Sequence, residues 1–182
     1  MNKFINSVRK VCIFADMKIV TIIRAGFWAV LLLGVVLLGS CTPDDSNNKQ
    51  VDKNQLLELV NSYRTSGCNC GSEGYFAPTT PVVWSTAIAL TALDHSEDMN
   101  KKNFFSHTGS DGSDVGTRLR RRNYDWRMCG ENIASGYKNE ASVVEGWINS
   151  PGHCKNIMSP GFEEMGVARV GDYWTQVFGA HK

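Results

Sequence analysis

Apolar residues after residue 50 recur mainly every three or four positions, which is the period of a helix that buries one face. Residues 51–66 follow this pattern, and Gly67 ends it. Asn61 and Arg64 lie three positions apart and share a face, which we interpret as a solvated edge. The segment therefore predicts an amphipathic helix.

A second helix is predicted to begin after Ser85, a residue type that favours the N-cap position. Its apolar stripe includes His95, which we interpret as a core histidine and not as a ligand. Residues 115–122 predict a short third helix, with Arg118 and the other arginines mostly on a solvated face.

Residues 140–149 predict a fourth helix, and a fifth follows it directly. Ser150 and Pro151 form a strong helix start, because serine favours the N-cap and proline the first helical position. His153 is then the third helical residue, at the positive end of the helix dipole. We expect this field to favour neutral imidazole.

Residues 165–170 and 173–178 alternate between apolar and polar side chains, as strands do. Gly171 and Asp172 join them, and a glycine in the first position favours a type II′ turn. We therefore predict a β-hairpin. Its second strand directs Tyr173 and every second residue after it to one face of a sheet.

The first 40 residues predict an export signal of the lipoprotein type. Basic residues precede an apolar run at residues 25–38. This run is shorter than a bilayer-spanning helix, which needs about 20 apolar residues. Leu38-Gly39-Ser40-Cys41 resembles a bacterial lipobox, so we expect cleavage before Cys41 and a lipid on its sulfur. Met17 is an alternative start of the chain. An uncleaved anchor or a secreted protein without lipid is the alternative to this interpretation.

Residues 41–53 are polar and predict a flexible tether, and residues 54–182 predict one folded domain. The formal net charge is +1, which does not favour a nucleic-acid partner. The membrane contact that we expect is made through the lipid on Cys41.

Four cysteines fall in the predicted domain, an even number that favours two disulfides in an exported chain. A zinc site is the rival, but the Cys68-Asn69-Cys70 spacing is too short for its usual pattern. We expect Cys68 and Cys70 each to pair with Cys129 or Cys154. The sequence leaves the pairing open.

Residues 128–136 place one carboxylate, Glu131, among a cysteine, apolar residues and glycines. A carboxylate beside an apolar wall needs a partner, because burying an unpaired charge is costly. His107 and His153 lie in turn-like contexts, and we expect both to meet Glu131 in an open cleft. The alternative is a glutamate that only ties down loop backbone.

Five segments together resemble the CAP domain, the family of cysteine-rich secretory proteins, antigen 5 and plant pathogenesis-related proteins. They run in family order over residues 54–179, and the Ser-Pro-Gly-His form is similar to the bacterial branch. The segments are Asn61 with Arg64, Phe105-Ser106-His107, residues 129–134, residues 147–153 and residues 173–178.

The resemblance implies an α+β fold, an α-β-α sandwich with a small central antiparallel sheet and a surface cleft. Family members with a complete site line the cleft with two histidines and two glutamates that can hold a divalent cation. His107 and Glu131 match the first residue of each kind. Ser150 stands at the second glutamate position and Tyr173 at the second histidine position, so half of the tetrad is absent.

Two interpretations of the remaining site follow. His107, Glu131 and His153 would suit a divalent cation such as zinc or calcium, with His153 replacing the lost ligand. Alternatively, these residues and Tyr173 form a neutral hydrogen-bond network that shapes the cleft, which is the interpretation that we favour. No other cofactor is indicated.

We expect an exported, lipid-anchored binding module that holds a lipid, peptide or glycan in or beside this cleft, without chemistry. A hydrolase is the second hypothesis, with Glu131 or a metal-bound water as the base and His107 or His153 assisting. An adhesin or scaffold that uses residues 67–81 is the third. The family resemblance does not choose among these functions, because one fold hosts many.

Overall fold

The computed structural model describes residues 51–182, so the predicted signal segment, Cys41 and most of the tether lie outside the described residues. The structure confirms the five helices that the sequence predicts. They are α1 (Lys53–Ser66), α2 (Thr86–Lys102), α3 (Val115–Arg121), α4 (Glu140–Ile148) and α5 (Pro151–Met158). The strands are β1 (Cys68–Asn69), β2 (Tyr75–Phe76), β3 (Val83–Trp84), β4 (Trp126–Ser135), β5 (Glu164–Val170) and β6 (Tyr173–His181).

The main sheet has four strands in the order β3-β5-β6-β4. Strands β5 and β6 form the predicted antiparallel hairpin, and Gly171 begins its turn with φ 59°. Strand β4 pairs antiparallel with β6, which places Glu131 opposite Val177. The short strand β3 runs parallel to β5, whereas the other two strand pairs of the main sheet are antiparallel as expected.

Helices cover both faces of the sheet. Helices α2 and α3 pack on one face, where Ile88, Leu119 and Val177 belong to one apolar cluster. Helices α1, α4 and α5 pack on the other face, where Trp147 and Phe178 belong to a second cluster. The fold is therefore the expected α-β-α sandwich, and alternate residues of β6 contribute to opposite layers as predicted.

Arg64 does not lie on a solvated edge, as its helical position suggested, but is fully buried. Burial lowers its pKa to about 10, so the side chain remains a cation at neutral pH. Its guanidinium donates to four backbone carbonyls. The acceptors are Thr80 (2.9 Å), Ile157 (2.6 Å), Ser159 (2.9 Å) and Phe162 (3.2 Å). The carbonyl of Ile157 lies in the last turn of α5, and that of Ser159 lies directly after it. Arg64 therefore joins α1 to the negative end of α5.

The predicted pair of disulfides is wrong in this structure. Cys70 pairs with Cys154, one of the pairings left open by the sequence, whereas Cys68 and Cys129 are free thiols. Cys129 packs against the apolar cluster on the α2 side of the sheet, and Cys68 packs against the cluster on the other side. The sheet therefore separates the two thiols. The segment 67–81 is also more ordered than the loop predicted, because β1 and β2 pair within it.

Replacing Arg64 by methionine should lower the free energy of unfolding by about 3–5 kcal/mol, since four backbone carbonyls, two of them in buried hydrogen bonds, lose this donor. Urea denaturation would measure the change. Arg127→Met is the matched control, because Arg127 is half exposed and bonds only the exposed Glu163. We expect the control to change stability by less than about 1 kcal/mol. Equal losses in both variants would contradict this role for Arg64.

Candidate functional site

The site is centred on Glu131, in the middle of strand β4 at the edge of the sheet. Its side chain points to the face covered by α2 and α3, and it is only 3 % exposed. The neighbouring Asn132 points to the opposite face, where its amide donates to the carbonyl of His153 at 3.2 Å and to Gln176 at 2.9 Å. Adjacent residues of one strand thus connect both helical layers.

His107 lies in the loop between α2 and α3 and meets Glu131 as the sequence predicted. Its Nδ1 is 2.9 Å from Oε1 of Glu131. An ionised carboxylate only accepts hydrogen bonds, so Nδ1 carries the hydrogen. In the neutral ring, Nε2 is then a free acceptor. The side chain of His107 is 58 % exposed, which gives this ring access to solvent.

Arg118 is a site residue that the sequence pattern did not reveal. We predicted a solvated arginine, but Arg118 is buried and donates to Oε2 of Glu131 at 2.7 Å. It also donates to the carbonyls of Ser113 (2.7 Å) and His107 (3.1 Å). A signal was present, since Arg118 lies three positions after the apolar Val115 and therefore shares a face of α3 with it. The guanidinium thus neutralises Glu131 and holds the loop that carries His107.

His95 is fully buried, as expected of a core histidine, and its Nε2 donates to the carbonyl of Ser106 at 2.9 Å. Its pKa is lowered, chiefly because burial disfavours the charged ring. Its Nδ1 and Nε of Arg118 have no hydrogen-bond partner among the described residues. Both residues line a polar cavity of about 280 Å³, which has room for water.

His153 is the third residue of α5, as predicted, and it is half-buried. Its pKa is lowered mainly by burial and secondarily by the charge of His107. The ring is therefore neutral as expected, but burial is the main cause and not the helix dipole. Helix α5 belongs to the layer opposite the side chain of Glu131. Within residues 51–182, no hydrogen bond or ion pair joins the His153 ring to Glu131. Of the three residues that the sequence predicts to meet, only His107 and Glu131 are therefore in direct contact.

Tyr173 begins strand β6 opposite Ser135, four residues along β4 from Glu131. Its hydroxyl is 3.4 Å from the side-chain oxygen of Asn103, and its ring centre is 6.4 Å from that of Phe105. Phe105 is 54 % exposed and lies two positions before His107. Tyr173 therefore lies beside the exposed part of the site without bonding Glu131 or His107. We call His107, Phe105 and Tyr173 the rim of the site.

The residues that resemble the family's metal site do not fit a divalent cation in this arrangement. Among the described residues, the three sulfurs of Cys68, Cys70 and Cys154 form the one group of three or more ligand atoms within 4.8 Å of one another. One oxygen of Glu131 already bonds the cationic Arg118. Ser150, at the missing glutamate position, is the N-cap of α5, although its hydroxyl makes no capping hydrogen bond.

Replacing Arg118 by methionine should destabilise the fold by about 3–5 kcal/mol, because it leaves the Glu131 carboxylate buried without its cation. The double variant Arg118→Met, Glu131→Leu should recover part of this loss. Arg121→Met is the control, since Arg121 pairs with the half-exposed Asp111. Thermal or urea denaturation measures these variants and the single Glu131→Leu variant, and additive effects of the two site changes would contradict the ion pair.

Several known proteins are similar to this chain. An uncharacterized membrane protein of Bacillus subtilis, YlbC, is 29 % identical over 160 residues, which cover 87 % of this chain and 43 % of that protein. The chain spans less than half the length of the curated relatives it matches.

Two solved structures share the fold. An extracellular protein containing a SCP domain from Bacillus anthracis is 30 % identical, with a TM-score of 0.62 over 71 % of this chain and 40 % of that one. An outer surface protein of Borrelia burgdorferi is 18 % identical, with a TM-score of 0.62 over 74 % of this chain and 99 % of that one. The profile of the CAP family, described as the cysteine-rich secretory protein family, matches residues 57–178, and the chain therefore belongs to the CAP family.

Proposed function

We propose that this protein is an exported binding module whose ligand lies on the open rim around His107, and that a glycan is the ligand class that suits this rim best. The observation that carries the proposal is the exposed ring of Phe105, which lies beside Tyr173 and close in sequence to an oriented, solvent-exposed imidazole. A sugar ring has an apolar face and polar edges, so it suits aromatic rings next to a hydrogen-bonding group.

The orientation of His107 supports this proposal. Glu131 accepts from Nδ1, and the carboxylate is itself fixed by Arg118. A ring held in this way presents Nε2 to a ligand hydroxyl with little loss of side-chain freedom on binding. The rim thus combines a fixed acceptor with an apolar platform.

The other two ligand classes fit the rim less well. A long acyl chain needs an enclosed apolar site, and His107 is an exposed polar group. The larger cavity, about 620 Å³, includes Trp84, Leu90 and Leu93 but none of the site residues. A peptide that adds to a free strand edge needs open backbone groups, yet Asn156 already donates to the Glu131 carbonyl on β4 at 3.1 Å.

A hydrolase remains the second hypothesis, because the His107–Glu131 pair has the geometry of an oriented base. The proposal of a binding module is preferred since no serine, threonine or cysteine side chain in residues 51–182 is hydrogen-bonded to this pair. Ser106 accepts a hydrogen bond from the backbone of Thr108, and no hydrogen bond joins its hydroxyl to the His107 ring in residues 51–182.

We also propose that the protein is a lipoprotein held in the cell envelope through Cys41. The lipobox-like Leu38-Gly39-Ser40-Cys41 supports the anchor, and the extracellular and outer-surface relatives support export. In residues 51–182, no helix has the length and apolar character that a bilayer crossing requires.

Binding is tested by calorimetry of the purified protein with three probes: an N-acetylglucosamine hexamer, palmitate and an unstructured decapeptide. We expect the hexamer to bind, and Phe105→Ala and Tyr173→Ala each to weaken binding about 2- to 10-fold, the equivalent of about 0.5–1.5 kcal/mol per aromatic contact. Tyr75→Ala, in the exposed 67–81 segment, is the matched control. Tight palmitate binding, or weakening by Tyr75→Ala alone, would overturn the glycan proposal.

The anchor is tested by growing producing cells with radiolabelled palmitate. Wild-type protein should take up label and sediment with membranes, and Cys41→Ser should lose the label, because the sulfur that carries the lipid is gone. Cys12→Ser, a second cysteine of the N-terminal segment, is the control that should retain it. Label that persists in Cys41→Ser would refute this anchor.

A further inference from the structure

Three sulfur atoms form a cluster that the proposed function does not use. Cys70 and Cys154 are joined in a disulfide, and the free thiol of Cys68 lies 3.7 Å from Sγ of Cys154. All three sulfurs lie within 4.8 Å of one another. The thiol therefore contacts one sulfur of an existing disulfide.

The local fold explains why two cysteines compete for one partner. Cys68 begins β1, which pairs with β2, and Cys70 follows as the first residue before a 3-10 helix at Gly71–Glu73. This short structure packs against α5, which carries Cys154. Lys155 of α5 pairs with Glu73 at 2.8 Å and holds the same two elements together.

We propose that Cys68 exchanges with the neighbouring disulfide, so that Cys154 alternates between Cys70 and Cys68. The thiolate of Cys68 attacks Sγ of Cys154, a Cys68–Cys154 bond forms, and the Cys70–Cys154 bond breaks. Cys70 leaves as a thiolate and takes up the proton that Cys68 released. The number of disulfides and thiols is unchanged, so the step needs no oxidant or reductant.

Loop closure does not decide between the two forms. The existing disulfide joins residues 84 apart in sequence, and its alternative closes a loop only two residues longer, so the entropy of loop closure is almost the same. Local packing then decides between the forms. Cys70 and Cys154 are buried, whereas Cys68 is half-buried, which favours the disulfide seen here.

The difference in exposure also makes Cys68 the sulfur that meets dissolved reagents first. A dissolved reagent reaches Cys68 before it reaches the buried disulfide. Burial raises the pKa of Cys68, so the reactive thiolate is scarce at neutral pH and the exchange is slow, on a scale of about minutes to hours.

The exchange bears on the binding site through α5. Cys154 directly follows His153, and Asn156 on the same helix bonds strand β4. Either disulfide keeps α5 attached to the 67–81 segment. If a small thiol attacks Cys154 and displaces Cys70, Cys68 can displace that thiol in turn and restore a crosslink to α5.

The test incubates the full-length native protein at pH 8 with a trace of reduced glutathione, stops exchange with acid and then alkylates the free thiols. Fragmentation of the Cys68–Cys70 peptide locates the label. We expect label on Cys70 as well as on Cys68, in a fraction that grows with incubation and is unchanged by Cys129→Ser. Label on Cys70 that stays at background over a day would overturn the proposal.

A second measurement uses Cys70→Ser, treated with oxidised glutathione. We expect a Cys68–Cys154 disulfide in most molecules, and none when Cys68→Ser is added. If folded Cys70→Ser keeps both thiols free, the proposal fails. Neither result depends on the ligand of the rim, so this test is independent of the proposed binding function.

Discussion

The arrangement of the site depends on one buried charge, the carboxylate of Glu131. A strand residue with almost no exposure to water cannot remain ionised without partners. Arg118 supplies the opposite charge at 2.7 Å, and His107 occupies the second oxygen at 2.9 Å. Helix α3 and the loop before it are consequently fixed to strand β4. The exposed imidazole is positioned by a network whose charged members are both buried.

Strand β4 serves both helical layers because adjacent residues of a strand point to opposite faces of the sheet. Glu131 reaches α3 on one side, and Asn132 reaches α5 on the other. Asn156 donates to the side-chain oxygen of Asn132 at 2.9 Å and also covers the backbone carbonyl of Glu131. Asn156 thus satisfies one backbone carbonyl of an edge strand that would otherwise be open to pairing.

Much of the fold could be predicted because its signals are local. The helices and the β5–β6 hairpin follow from apolar periods and from the glycine at the turn. Strand β4 has a weaker signal, since its central residues are a polar pair, Glu131 and Asn132, whose partners are distant in sequence. Arg64 shows the limit most clearly. Its carbonyl partners lie 16 to 98 residues away, so no local pattern marks it as buried.

The site was predictable in part for the same reason. The family motifs identify His107 and Glu131, which do meet, but the motif says nothing about Arg118. Its position three residues after the apolar Val115, on the same face of α3, was the available signal. The cysteine pairing had no such signal, because four cysteines allow three connectivities and only the sheet separates Cys129 from Cys68.

Charge balance explains how Glu131 is accommodated in a site with half of the family's tetrad. Two glutamates together favour a divalent cation, whereas one carboxylate is balanced by one guanidinium. In this chain the second glutamate position is Ser150, which starts α5, and Arg118 supplies the single positive charge that Glu131 requires. The second histidine position is Tyr173, whose ring lies near Phe105. Ser150 and Tyr173 therefore have a common consequence. The site lacks two groups that would hold a cation, and it has instead a neutral Arg118–Glu131 pair and an aromatic rim.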